Sequence, residues 1–147
     1  MGTIVKKLLI VAILSLAPAA EGCVVVSDTV DPGDPIDASF SLTWTTIDAW
    51  TGFAVDCHDV GADSVRVIAD NMDTGDAFVD LFGCDAQHGR TAPVTAGDYA
   101  VTVDLVRCGF DETCSFAPVI AGTSLPDRFS IFDPAVIDLG HFDFEVN

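Results

Sequence analysis

Asp56-Cys57-His58-Asp59 puts two carboxylates and an imidazole within four consecutive residues, a grouping able to move a proton or hold a cation. Either chemistry needs the groups to converge on one point. In an extended segment Asp56 and His58 share a face and Asp59 points the other way, so only a loop gathers all three. No second cluster elsewhere joins them, and a solvated loop beside a disulfide explains the same letters. Asp70, Asn71, Asp73 and Asp76 offer hard oxygen ligands of the kind calcium takes. An EF-hand-like loop would need ligands at alternating positions and a closing Glu, and a hairpin turn rich in Asx residues needs neither. Trp50 and Phe53 sit in an apolar-rich connection over residues 47–53. They are candidates for an exposed binding loop, with capping of the core as the plainer expectation. The chain lacks a Gly-x-Ser-x-Gly elbow and a Gly-rich phosphate loop, and His58, His88 and His141 are scattered. The expectation is a non-catalytic protein with no cofactor and no metal. The candidate binding residues are Trp50, Phe53, Asp56, His58 and Asp59.

The five cysteines carry a second kind of chemistry. Cys57, Cys84, Cys108 and Cys114 allow three pairings. Cys108 and Cys114 bracket a single turn, so the most local solution staples that loop and joins Cys57 to Cys84. Neither a C-x-x-C spacing nor a cysteine–histidine cluster suits zinc. Disulfides imply an oxidising compartment.

The N-terminus points the same way. Lys6 and Lys7 precede an apolar run from Leu8 to Leu16, and small residues then lead to Gly22-Cys23. This is the order of an export signal, with an apolar run too short to span a bilayer comfortably. Ala20-Glu21-Gly22-Cys23 resembles the lipobox of bacterial lipoproteins, which implies lipidation of Cys23 as the mature N-terminus. Gly22 fits that pattern, while Ala20 and Glu21 depart from it. Ordinary cleavage near Ala17–Ala20, leaving Cys23 a free thiol, is the alternative. Cysteine parity favours lipid, because Cys23 is the one cysteine outside the domain. The expected location is the bacterial cell envelope, at the outer membrane, with secretion as the alternative.

Losing residues 1–22 takes Lys6, Lys7 and Glu21 from six basic and 23 acidic residues, leaving four arginines and 22 acids. Such a surface repels nucleic acid and anionic lipid heads, so neither is an expected partner. The acids also serve solubility. Glu21, Glu112 and Glu145 are the only glutamates. The rest are aspartates, which suit turns and strand ends.

The elements that must position these groups read as strands. Residues 24–38 hold two prolines, a glycine and four aspartates, and are expected as a tether between signal (1–22) and domain (39–147), the tether as a whole being 23–38. Phe40, Leu42 and Trp44 alternate with polar neighbours, and so do Tyr99, Val101, Val103 and Leu105. The Tyr99 strand is expected near the middle of a sheet. Residues 64–70 and 77–84 predict a hairpin with Arg66 opposite Asp80. Residues 116–121 and 129–132 predict short strands, and residues 137–146 a closing one, with a bulge at Gly140. The fold expected is an all-β, Ig-like antiparallel β-sandwich of about seven strands. Thr95-Ala96-Gly97-Asp98-Tyr99-Ala100-Val101-Thr102-Val103 resembles a strand of Ig-like sandwiches of the transthyretin and carboxypeptidase-regulatory type. Such domains occur in uncharacterised bacterial lipoproteins, usually as accessory or binding modules. The resemblance implies a binding or structural module attached to the membrane through Cys23, with a protein or carbohydrate ligand. A small metal-using enzyme built on residues 56–59 and a secreted carbohydrate-binding or enzyme-accessory module using Trp50 and Phe53 are the alternatives.

Overall fold

The computed structural model describes residues 29–109, 114 and 116–147. The expected signal (1–22), Cys23 and the expected tether up to residue 28 lie outside the described residues.

Among the described residues nine strands form two packed sheets. In the first, β1 (Pro35–Asp48) lies between β9 (Val136–Val146) on one side and the short β4 (His88–Arg90) on the other, with β5 (Val94–Thr95) beside its first residues. In the second, β6 (Gly97–Val106) is central. It pairs with β2 (Ser64–Asn71) along one edge and with β7 (Val119–Ser124) and β8 (Phe129–Ile131) along the other, and β3 (Ala77–Gly83) flanks β2. The fold is the expected all-β sandwich, and the Tyr99 strand holds its expected central place. One pair departs from the antiparallel rule: β1 and β9 run parallel. The bulge expected at Gly140 is there. Four residues of β9 (Asp138 to His141) lie against three of β1 (Ser41 to Thr43), and Gly140 takes a φ of +90°.

The core is built by the period-two pattern. Phe40, Leu42 and Trp44 of β1 and Tyr99, Val101, Val103 and Leu105 of β6 are all 2 % exposed or less. Phe40 meets Tyr99 edge-on with ring centroids 5.8 Å apart, and Trp44 lies 6.1 Å from Phe82. The polar tips find partners, as burial demands. The Trp44 indole N–H donates to the Cys84 carbonyl at 2.7 Å, and the Tyr99 hydroxyl donates to the Thr95 carbonyl at 2.7 Å.

The strand begins earlier than composition suggests. Pro35 and Ala38 pair with β5, the Gly33 amide donates to the Ala96 carbonyl, and Ala38 is fully buried. The boundary expected at residue 39 therefore falls inside β1. Proline at a strand's first residue is compatible with pairing, and it masked the strand in the sequence. β4 likewise occupies part of a stretch that reads as a polar loop. β7 begins at Val119, where a strand over 116–121 was expected.

The β2–β3 hairpin forms one residue out of the expected register. Arg66 stands opposite Leu81, and Asp80 stands opposite Val67. Arg66 takes its charge partner from the other neighbour, β6, where Asp104 Oδ2 lies 2.8 Å from its guanidinium. Asp80 falls on the inward row of edge strand β3 between Phe78 and Phe82, a position where a charge discourages further edge pairing. The turn letters that could have suggested calcium hold the turn itself. Asn71, 1 % exposed, accepts the amides of Asp73 and Thr74 on Oδ1 and donates through Nδ2 to Tyr99 and to the Ala96 carbonyl. Gly97 passes so close that a Cβ there would sit 2.5 Å from the Asn71 amide.

Both expected disulfides are present. Cys57 and Cys84 have Cα atoms 6.0 Å apart, and Cys108 and Cys114 are 4.8 Å apart. Asp63 secures the turn after β6 by accepting the amides of Cys108 and Gly109, each at 2.9 Å. Partial burial opposes its ionisation, yet these amides, the Ser64 side chain and the Arg107 charge hold its carboxyl below the usual range.

Candidate functional site

The end of the sandwich where β1 stops gathers most of the predicted binding residues. The chain leaves β1 at Asp48 and returns at once, with Ile47 bridged to Ala54 and the Asp48 amide donating to the Phe53 carbonyl at 3.0 Å. Asp48 Oδ1 accepts the Thr51 amide at 2.7 Å, the Thr51 hydroxyl at 3.0 Å and the Trp50 amide at 2.9 Å. Gly52, at φ +71°, completes the reversal. Trp50 is 85 % and Phe53 75 % exposed, so the expectation that they cap the core is corrected.

The Thr51 amide and hydroxyl, joined by the Trp50 amide, hold the Asp48 carboxyl below its ordinary value of 3.8. A carboxylate with a depressed native pKa lends its stabilisation above the unfolded value and loses it as pH falls through the native one. The turn should therefore be tight at neutral pH and loosen only in acid below that ordinary value. Asp48→Ala should loosen it at every pH. Time-resolved anisotropy of Trp50 in a Trp44→Phe background checks this: Asp48→Ala should shorten the correlation time at pH 7 to the value the parent shows only in acid.

A cleft of about 500 Å³ opens beside this turn. Trp44, Thr46 and the Cys57–Cys84 bridge line it, and the Thr46 hydroxyl lies 3.5 Å from Cys57 Sγ. Asp56 and His58 contribute from the following turn, where the Asp59 amide donates to the Asp56 carbonyl and Gly61 to His58. Asp85 and Gln87 contribute from the 3-10 turn Cys84–Ala86. The volume lies within the range of small-molecule sites. Two carboxylates, a carboxamide, an imidazole and the hydroxyls of Thr45 and Thr46 suit a ligand rich in hydroxyls or carrying an amine, which these groups can meet by hydrogen bonds.

Of the predicted residues, Asp56 and His58 reach the cleft, and Trp50 and Phe53 stand on the turn leading into it. Asp59 does not line it. Among the described residues no group of three or more His, Cys, Asp or Glu is placed to hold a metal ion. Asp85 and Gln87 were missed as site residues, although the bridge that joins Cys57 to Cys84 also brings Asp85 toward Asp56. His141 lies on the outer face of the first sheet, with Nδ1 2.9 Å from the Thr43 hydroxyl and Nε2 3.2 Å from Asp143.

No family model and no curated protein matches the chain. Among solved structures it is similar to part of a leucine-rich repeat protein from Bacteroides thetaiotaomicron, at 12 % identity and a TM-score of 0.39. The alignment covers 81 % of this chain and 14 % of that one, a likeness too remote to carry function. No helix among the described residues is long and apolar enough to cross a membrane.

Proposed function

We propose that the protein is an exported, non-catalytic lipoprotein of the bacterial envelope, held at the outer membrane by lipid on Cys23, whose Ig-like sandwich serves as a binding or structural module. The observation that carries the binding role is the presentation of Trp50 and Phe53 on a turn fixed by Asp48, beside the cleft that Asp56 and His58 line. An exposed indole held in one place meets a ligand face at little entropic cost. Polarity supports the anchoring. Residues 29–34 join β1 at its first residue, and the aromatic turn follows its last, fourteen strand residues away. At about 3.3 Å per residue the contact surface would stand roughly 40 Å beyond the point where the tether enters. The disulfides support export.

The mature N-terminus tests the anchoring directly. Mass spectrometry of protein from the membrane fraction should find a diacylglyceryl group on an N-terminal Cys23 peptide. An unmodified N-terminus between Ala17 and Cys23 would support the secreted alternative. That alternative, a carbohydrate-binding or enzyme-accessory module, draws on the same turn and cleft, since sugars stack on exposed indoles. Adsorption to insoluble polysaccharides, lost on Trp50→Ala, would favour it.

A further inference from the structure

The sandwich is open along one side. β9 hydrogen-bonds to β1 and β7 to β6, and among the described residues neither has a partner on its other edge. The two free edges border one seam of about 240 Å³, lined by residues 121–123 of β7 and 142–145 of β9. The register states which groups β9 offers. The Ala49 amide donates to the Val146 carbonyl, so the backbone groups of Phe142, Phe144 and Val146 face β1. Those of His141, Asp143 and Glu145 face outward. Phe142 and Phe144 turn their rings inward, and Ala121 and Thr123 border the seam from β7.

We propose that this seam receives an added β-strand from another protein, an extended segment in which apolar and basic residues alternate. Its backbone would bond to the outward groups of His141, Asp143 and Glu145. Its apolar side chains would enter the seam beside Phe142 and Phe144. Its basic ones would stand on the outer face beside Asp143 and Glu145, both exposed. Charge selects this occupant. A second copy brings another net −17, and the chain's own leading segment brings Asp28 and Asp31, so both add like charge to the edge. The inference does not depend on lipid at Cys23 or on the aromatic turn.

The probe is a synthetic peptide of about ten residues alternating valine and lysine, compared with one alternating valine and glutamate. Fluorescence anisotropy should show the lysine peptide binding about tenfold or more tightly than the glutamate peptide, with the preference shrinking in high salt. Hydrogen exchange should show protection of the His141, Asp143 and Glu145 amides on binding. Asp143→Lys with Glu145→Lys replaces exposed side chains only, and should reverse the peptide preference. The proposal is overturned if the three amides stay unprotected or the double variant keeps the original preference. It is equally overturned if protection appears without peptide and grows with protein concentration, which would make a second copy the occupant.

Discussion

Asp104→Ala should destabilise the domain by about 3–5 kcal/mol, the range expected when one member of a buried ion pair is removed. Arg66 and Asp104 lie 2.8 Å apart with side chains only 11 % and 10 % exposed, beside Cys114 of the Cys108–Cys114 bridge. Arg66 also donates to the Cys114 carbonyl at 2.9 Å, while its Nε has no partner among the described residues. Without Asp104 the guanidinium keeps one carbonyl acceptor and a charge that burial penalises. Thermal unfolding followed by circular dichroism should register the loss as a fall of about 10–20 °C in Tm. Arg66→Met combined with Asp104→Leu should recover most of it, because an apolar pair of similar volume removes the desolvation cost along with the attraction. A double variant as unstable as Asp104→Ala would show that packing around the pair, and not the charge, sets the loss.

The same pair shows where sequence reasoning stops. The alternation of Val65, Val67 and Ala69 says which row of β2 is buried, and it is. It does not say which neighbour supplies the charge opposite Arg66, since any acid at the right parity on either flanking strand satisfies that face. Asp80 and Asp104 both qualified, and a one-residue shift in the hairpin decided for Asp104. Strands with one apolar row, such as Phe40-Leu42-Trp44, were legible because the row must be buried in any register. The parallel β1–β9 pairing was not, because it joins residues almost a hundred positions apart and local pattern carries no trace of it. At the candidate site, Asp56 and His58 stood out by type. Trp50 and Phe53 were noticed, but their exposure depends on the Asp48 turn, whose hydrogen bonds use an aspartate that reads as one more residue of the 47–53 connection. Asp85 and Gln87 carried no signal except through the cysteine pairing.

Cys57→Ser combined with Cys84→Ser should cost about 3.5 kcal/mol under the chain-entropy account of a loop whose ends are 27 positions apart. For a domain of this size that corresponds to a Tm lower by about 10–15 °C. Replacing both cysteines avoids a lone buried thiol, so the measurement isolates the cross-link. The damage should be local as well as global. The bridge holds the Cys84 turn against β1, where the Cys84 carbonyl accepts the Trp44 indole N–H and the Gln87 carbonyl accepts the Trp44 amide. In a Trp50→Phe background, Trp44 emission should shift to the red in the double serine variant well below its melting temperature, because water reaches the indole as that turn loosens. The Cys108→Ser with Cys114→Ser variant should leave Trp44 emission unchanged, since Cys114 meets Arg66 on the other sheet's outer face. Equal red shifts from the two variants would mean that the domain loosens as a whole, and the cleft beside the aromatic turn would then owe nothing in particular to the bridge that lines it.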